Sequence, residues 1–253
     1  MGRLVAAGGV MLDEDRLRPL ARAVDELCEA RGVPNGTELK WSPPRDNWLH
    51  DNLHGDERAG LFCDCLKALA MFGGRAVVVV WDTARTTLQG EQAFRKAVEW
   101  ALERFVMQLS ADQLGAVIAD RPGGNVRDED ELLADAVERI ERGTPYVALS
   151  EHIAVNLLTT PSHLSRHVQL ADLVAGSTTG MVGGNQYAPP VFQYVVPLLV
   201  QAYTGARAGA GLKLFPDELT NLYLHLLGEN QYWSDSRRAW IALPSEAYPY
   251  ASL

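Results

Sequence analysis

Four acidic side chains in this sequence stand where carboxylate chemistry is possible: Glu38, Asp82, Asp120 and Asp172. Asp172 lies inside the apolar run 170–175 (LADLVA). On a helix, Gln169, Asp172 and Gly176 fall at i, i+3 and i+7 and share one polar, small face. A buried carboxylate without a partner is expensive. Asp172 therefore needs a hydrogen-bond donor, a cation such as Arg166, or a metal ion. Asp120 closes the apolar run 114–119 and precedes Arg121-Pro122-Gly123-Gly124. It is either a ligand projected from a strand end or a turn aspartate bonding its own backbone. Asp82 ends the run 76–81, where it can equally cap the next segment. Glu38 and Lys40 are two apart, so an extended segment puts them on one face. That pair is a carboxylate ligand beside a phosphate-binding lysine, or an ion pair of little worth.

Other chemistry has less to stand on. His50 and His54 have helical i, i+4 spacing, but the adjacent Asn52 and Gly55 favour a solvated loop. No glycine-rich phosphate loop follows a strand, and no Gly-x-Ser-x-Gly elbow is present. The three cysteines, Cys28, Cys63 and Cys65, are too few for a disulfide framework or a zinc site and read as buried thiols.

The elements that must position these residues alternate. Residues 4–12 (LVAAGGVML) read as a buried strand and 13–31 as an amphipathic helix. Segment 37–42 (TELKWS) is extended, 56–72 helical, and 76–81 (AVVVVW) a buried strand. A helix over 91–109, a strand over 114–119, a charged helix over 128–142 and a strand over 153–158 follow. Residues 161–181 read as a helix capped by Thr160 or Ser162. Strands alternating with helices predict an α/β fold, and side chains at strand carboxyl ends tend to line its site. We expect an α/β domain over 1–184. Residues 185–253 read as an α-helical extension packed on it, with helices near 191–203 and 216–227.

The bulk numbers fit a globular chain of 253 residues, 47% hydrophobic and 22% charged, and neither a leader nor a membrane-spanning run is expected from it. A cytoplasmic location is the expectation. The formal net charge of −9 argues against a passive nucleic-acid coat protein. It argues less against an enzyme that meets phosphates through bound cations.

Taken together, Glu38-Leu39-Lys40-Trp41-Ser42, the strands ending at Asp82 and Asp120, and Gln169-Leu170-Ala171-Asp172-Leu173-Val174-Ala175-Gly176 resemble the family called domain of unknown function 3800. The resemblance covers about residues 3–182 and is most specific in the last of these runs. It implies a ribonuclease H-like mixed sheet flanked by helices and a metal-dependent nuclease using Mg²⁺ or Mn²⁺. Glu38, Asp120 and Asp172 would be the metal-binding carboxylates. Lys40 would contact phosphate, with Gln169 and Asp82 supporting from behind. The family's opening strand, which ends in Asp-Glu-Ser-Gly, has no counterpart before residues 3–12. Its absence would leave two neighbouring strands with unpaired backbone groups. Three explanations are open: a start upstream of Met1, which is favoured, another segment or chain in the gap, or an inactive relative.

Three functions follow from these readings. The first is a divalent-metal phosphodiesterase acting on nucleic acid. The second is an inactive ribonuclease H-like module that binds nucleic acid or protein. The third is a homodimer built on the C-terminal extension, motivated by the aromatic residues between Tyr223 and Tyr250. None involves a membrane.

Overall fold

The computed structural model describes residues 4–123, 126–216, 219, 222–234 and 237–242. Along the chain these form β1 (Leu4–Met11), α1 (Glu14–Ala30), α2 (Trp48–Asn52), α3 (Gly55–Met71), β2 (Arg75–Asp82) and α4 (Gly90–Val106). Next come β3 (Ile118–Asp120), α5 (Val126–Arg142), β4 (Leu158–Thr160), α6 (Arg166–Val182) and α7 (Pro189–Val195). The C-terminal region adds β5 (Leu212–Phe215), α8 (Leu222–Leu227) and a hairpin of β6 (Gln231–Ser234) with β7 (Ala239–Ala242). The architecture is α/β, as the alternating pattern predicts, and its sheet is mixed and flanked by helices.

β2 is the centre of this architecture. Its β-branched run leaves Val77, Val78, Val79 and Val80 with no exposed surface. Strand alternation sends Val78 and Val80 into the large core with α1, α3, α6 and α7, and Val77 and Val79 into a smaller core against α4. Helices therefore cover both faces, which is why the run is continuously apolar. β1 pairs antiparallel with β2, Leu4 opposite Asp82 and Met11 opposite Arg75. Its two glycines each admit one helix. A Cβ on Gly8 would lie 3.1 Å from Ala175 of α6, and one on Gly9 would lie 3.2 Å from the Phe105 ring of α4.

The sheet order is β1-β2-β5, with β5 parallel to β2. The C-terminal region is therefore not purely helical, as expected from sequence, but supplies a strand of the main sheet. Residues 212–215 alternate within a stretch whose glycines and alanines read as loop, and only the open edge of β2 makes them a strand. The region also shares the main core through Phe192, Val195, Leu214 and Tyr223. The predicted helix over 191–203 ends early. α7 gives way to a short 3₁₀ turn at Val196–Leu198, around Pro197, and Val200 then bonds its amide to the Ala76 carbonyl of β2 at 3.0 Å. The described aromatic residues of the expected dimer surface pack within the chain: Tyr223 and Tyr232 are buried, and Trp233 and Trp240 lie against each other. Tyr248 and Tyr250 lie outside the described residues. No helix among the described residues is long and apolar enough to cross a membrane.

β3 and β4 form a separate two-stranded parallel sheet, Ile118 opposite Leu158 and Asp120 opposite Thr160. Both strands are shorter than their apolar runs suggest; Gly115 and Ile153 touch only by an isolated bridge. Ile118 and Leu158 are about half exposed. β1 is the outer strand of the main sheet, and α6 packs on β1 and β2 and also reaches β3. Among the described residues, β1 has no ladder partner on that outer edge. β5, the added strand, sits on the opposite flank of β2 and does not supply one. Hydrogen exchange followed by NMR should show β1 amides alternating between slow, where they bond to β2, and fast, where they face the free edge. Uniform protection along β1 would show that the edge is covered.

Candidate functional site

The site is built on α6 and on the extended segment 37–42 that lies across it. Segment 37–42 runs between α1 and α2 without a strand partner. Its amides bond instead to helix side chains. Leu39 N donates to Gln169 Oε1 at 3.2 Å, and Trp41 N donates to Asp172 Oδ2 at 2.7 Å. One turn further along α6, Gly176 leaves room for the Trp41 side chain; a Cβ there would lie 2.6 Å from that of Trp41. The shared face of Gln169, Asp172 and Gly176 is therefore a cradle for backbone. Arg166 does not pair with Asp172. It clamps the same junction, donating to Asp25 at 2.8 Å, to the Thr37 carbonyl at 2.8 Å and to Gln169 Oε1 at 2.7 Å.

With Leu39 turned into the core, Glu38 and Lys40 share the opposite side of the segment, as their spacing predicts. Lys40 Nζ lies 3.2 Å from Glu38 Oε1. That oxygen is buried, and its contact with the ammonium group lacks hydrogen-bond geometry. Asp120 arrives at the end of β3 and is exposed. Its Oδ1 accepts from Ser162 N at 3.1 Å. The Ser162 carbonyl in turn accepts from Gln169 Nε2 at 2.8 Å. Gln169 thus joins the turn holding Asp120, the segment holding Glu38, and the helix holding Asp172.

Asp172 is half-buried, and its carboxyl is held above the ordinary carboxylate range. Burial is the largest cause; the Trp41 amide and Lys40 oppose it, while Glu38 and Asp120 push it further up. Glu38 and Asp120 therefore both lie within electrostatic reach of Asp172. None of them pairs with an arginine among the described residues. They are not poised as they stand, however: among the described residues no group of three or more His, Cys, Asp or Glu side chains is placed to hold a metal ion. The donor chemistry does fit one. Oxygen ligands, a buried oxygen without a hydrogen bond and mutual carboxylate repulsion are what a hard divalent cation relieves. Ligation requires Glu38 to turn from Lys40 and Asp120 to turn from Ser162.

Asp82 takes the local role open to it. Its Oδ1 caps the turn after β2 by accepting from Ala84 N at 2.9 Å, and its Oδ2 accepts from Arg85 at 3.1 Å. His50 lies in the short helix α2, not in a loop, and His54 precedes α3; both are exposed. His50 Nδ1 meets Asp51 at 2.7 Å. Asn47, one of the strongest N-cap residue types, starts this helix by accepting from Leu49 N. Its side-chain amide also holds the Glu38 carbonyl at 2.9 Å. The three cysteines are free and buried, as expected. Ser165, rather than Thr160 or Ser162, caps α6. Sequence reasoning missed Arg166 as a clamp and Asn47 as a tie. The only sequence signal for either was the Asn-Trp boundary of a capped helix.

No protein-family model matches the chain, and no curated protein or solved structure is similar to it.

Gly176→Ala forces Trp41 off α6. It should destabilise the chain by roughly 1–3 kcal/mol, the range for overpacking a filled site, as measured by urea unfolding. Asp172 supplies a pH test. The folded chain holds its proton more tightly than the unfolded chain, so this group contributes most stability below the unfolded carboxylate range. That contribution is lost as pH rises through the folded value. In metal-free buffer, the melting temperature of Asp172→Asn relative to the parent chain should therefore rise from pH 4 to pH 7. The opposite trend would mean that Lys40 governs the ionised carboxylate.

Proposed function

We propose that this chain is a divalent-metal-dependent phosphodiesterase of ribonuclease H-like type, acting on nucleic acid. The observation that carries the reading is the hydrogen-bonded junction on α6, where Gln169 and Asp172 tie together segment 38–41, which holds Glu38, and the turn whose Ser162 amide binds Asp120. The resemblance in residues 38–42 and 169–176 supports it, because those two segments are the ones that dock on each other.

In this reading Glu38, Asp120 and Asp172 hold Mg²⁺ or Mn²⁺, which lowers the pKa of water and neutralises charge on a phosphodiester. Asp172 is the fixed member: its bond to Trp41 N sets its rotamer. Glu38 and Asp120 are the adjustable members, each held by one contact. Lys40, freed when Glu38 turns, places an ammonium group where a phosphate oxygen approaches. Gln169 keeps the three supports in register.

A second reading has its own observation. Glu38 is engaged by Lys40, and among the described residues no three ligands are in place, which favours an inactive ribonuclease H-like module that binds nucleic acid or protein without cutting.

Thermal melting with increasing Mg²⁺ or Mn²⁺ separates the two. The phosphodiesterase reading expects stabilisation approaching about 3 kcal/mol at a hundredfold excess over Kd, and cleavage of labelled RNA or DNA. Both should be lost in Asp172→Asn. A chain that neither responds to the metals nor cleaves any of these substrates is the inactive module.

A further inference from the structure

Beside segment 37–42, where Trp41 packs along α6, lies a cleft of about 490 Å³. Trp41 forms one wall, with the Phe62 ring behind it at 6.1 Å between centroids. Tyr187, 61% exposed, stands at the rim. His50, His54 and Arg58 supply the polar side. Arg58 has no hydrogen-bond or ion-pair partner among the described residues, although acids outnumber bases in this chain. The acids of the cleft's own surroundings do not engage it: Asp51 meets His50, and Asp56 and Glu57 point to solvent.

Aromatic faces beside an uncommitted guanidinium suit a planar, anionic ligand. The volume lies in the range of small-molecule pockets and is far too small for a helix of nucleic acid. Position narrows the ligand further. Trp41 is next in sequence to Lys40, and its own amide holds Asp172. The cleft is therefore joined to the acidic group through the backbone of Trp41. We propose that this cleft seats an unstacked base of single-stranded nucleic acid. Trp41 and Tyr187 take the base, and Arg58 takes an adjoining phosphate. The inference rests on the nucleic-acid reading above and adds to it the strandedness of the substrate.

The probe is a short fluorescein-labelled oligothymidine, with binding followed by anisotropy in EDTA so that no cleavage occurs. The parent chain should bind it more tightly than a duplex of the same length. Stacking contributes enough per base that Tyr187→Ala with Arg58→Ala should weaken binding by about tenfold or more. A strand carrying abasic sites should lose affinity for the parent chain and much less for the double variant. Circular dichroism checks that the two substitutions leave the fold intact. Absence of binding, equal binding of strand and duplex, or a double variant that binds like its parent overturns the cleft assignment. Should the parent chain bind through Tyr187 and Arg58 yet cut nothing with Mg²⁺ or Mn²⁺, the cleft stands and only the phosphodiesterase reading fails.

Discussion

An extended backbone laid across a helix has a problem that a strand in a sheet does not. The helix has already spent its own amides and carbonyls on itself, so the incoming segment can be satisfied only by side chains. Residues 37–42 meet this constraint at two points, Leu39 N on Gln169 and Trp41 N on Asp172. Gly176 sets how closely the segment can approach. Everything proposed for this chain depends on that docking. It brings Glu38 and Lys40 to the neighbourhood of Asp172 and turns Trp41 toward the cleft.

The same arrangement explains the electrical state of the site. Asp172 is used structurally, by one backbone amide, and that amide does not compensate for burial beside two further carboxylates. The carboxyl is left with its proton held too tightly. Such a site gains from a cation more than a surface acidic patch does, because low local polarity strengthens the attraction as it strengthens the repulsion. Lys40 partly supplies that charge now. A metal ion and a phosphate would divide the roles that Lys40 and Glu38 perform for each other.

The split between the main sheet and the β3–β4 pair matters to the site because Asp120 rides on β3. Its position relative to Asp172 is fixed by the Ser162–Gln169 contacts and by α6, not by a continuous ladder from β2. A sheet made continuous through the outer edge of β1 would hold Asp120 more firmly.

Periodicity alone was enough for β2, for the helices that cover it, and for the shared face of Gln169, Asp172 and Gly176. Those signals are local: burial on both faces demands an unbroken apolar run, and helical geometry fixes which residues align. It also required that Asp172 have a partner, since an apolar helix cannot leave a carboxylate alone. Which partner it has was decided only by tertiary structure. Arg166, the nearest basic candidate in sequence, clamps Thr37 and Asp25 instead, and a backbone amide from 131 residues away takes the carboxylate. The strand at residues 212–215 and the cleft beside Trp41 were likewise beyond local reading. A strand needs a free edge to pair with, and a cleft needs walls from distant segments; neither condition is written in the residues that meet it.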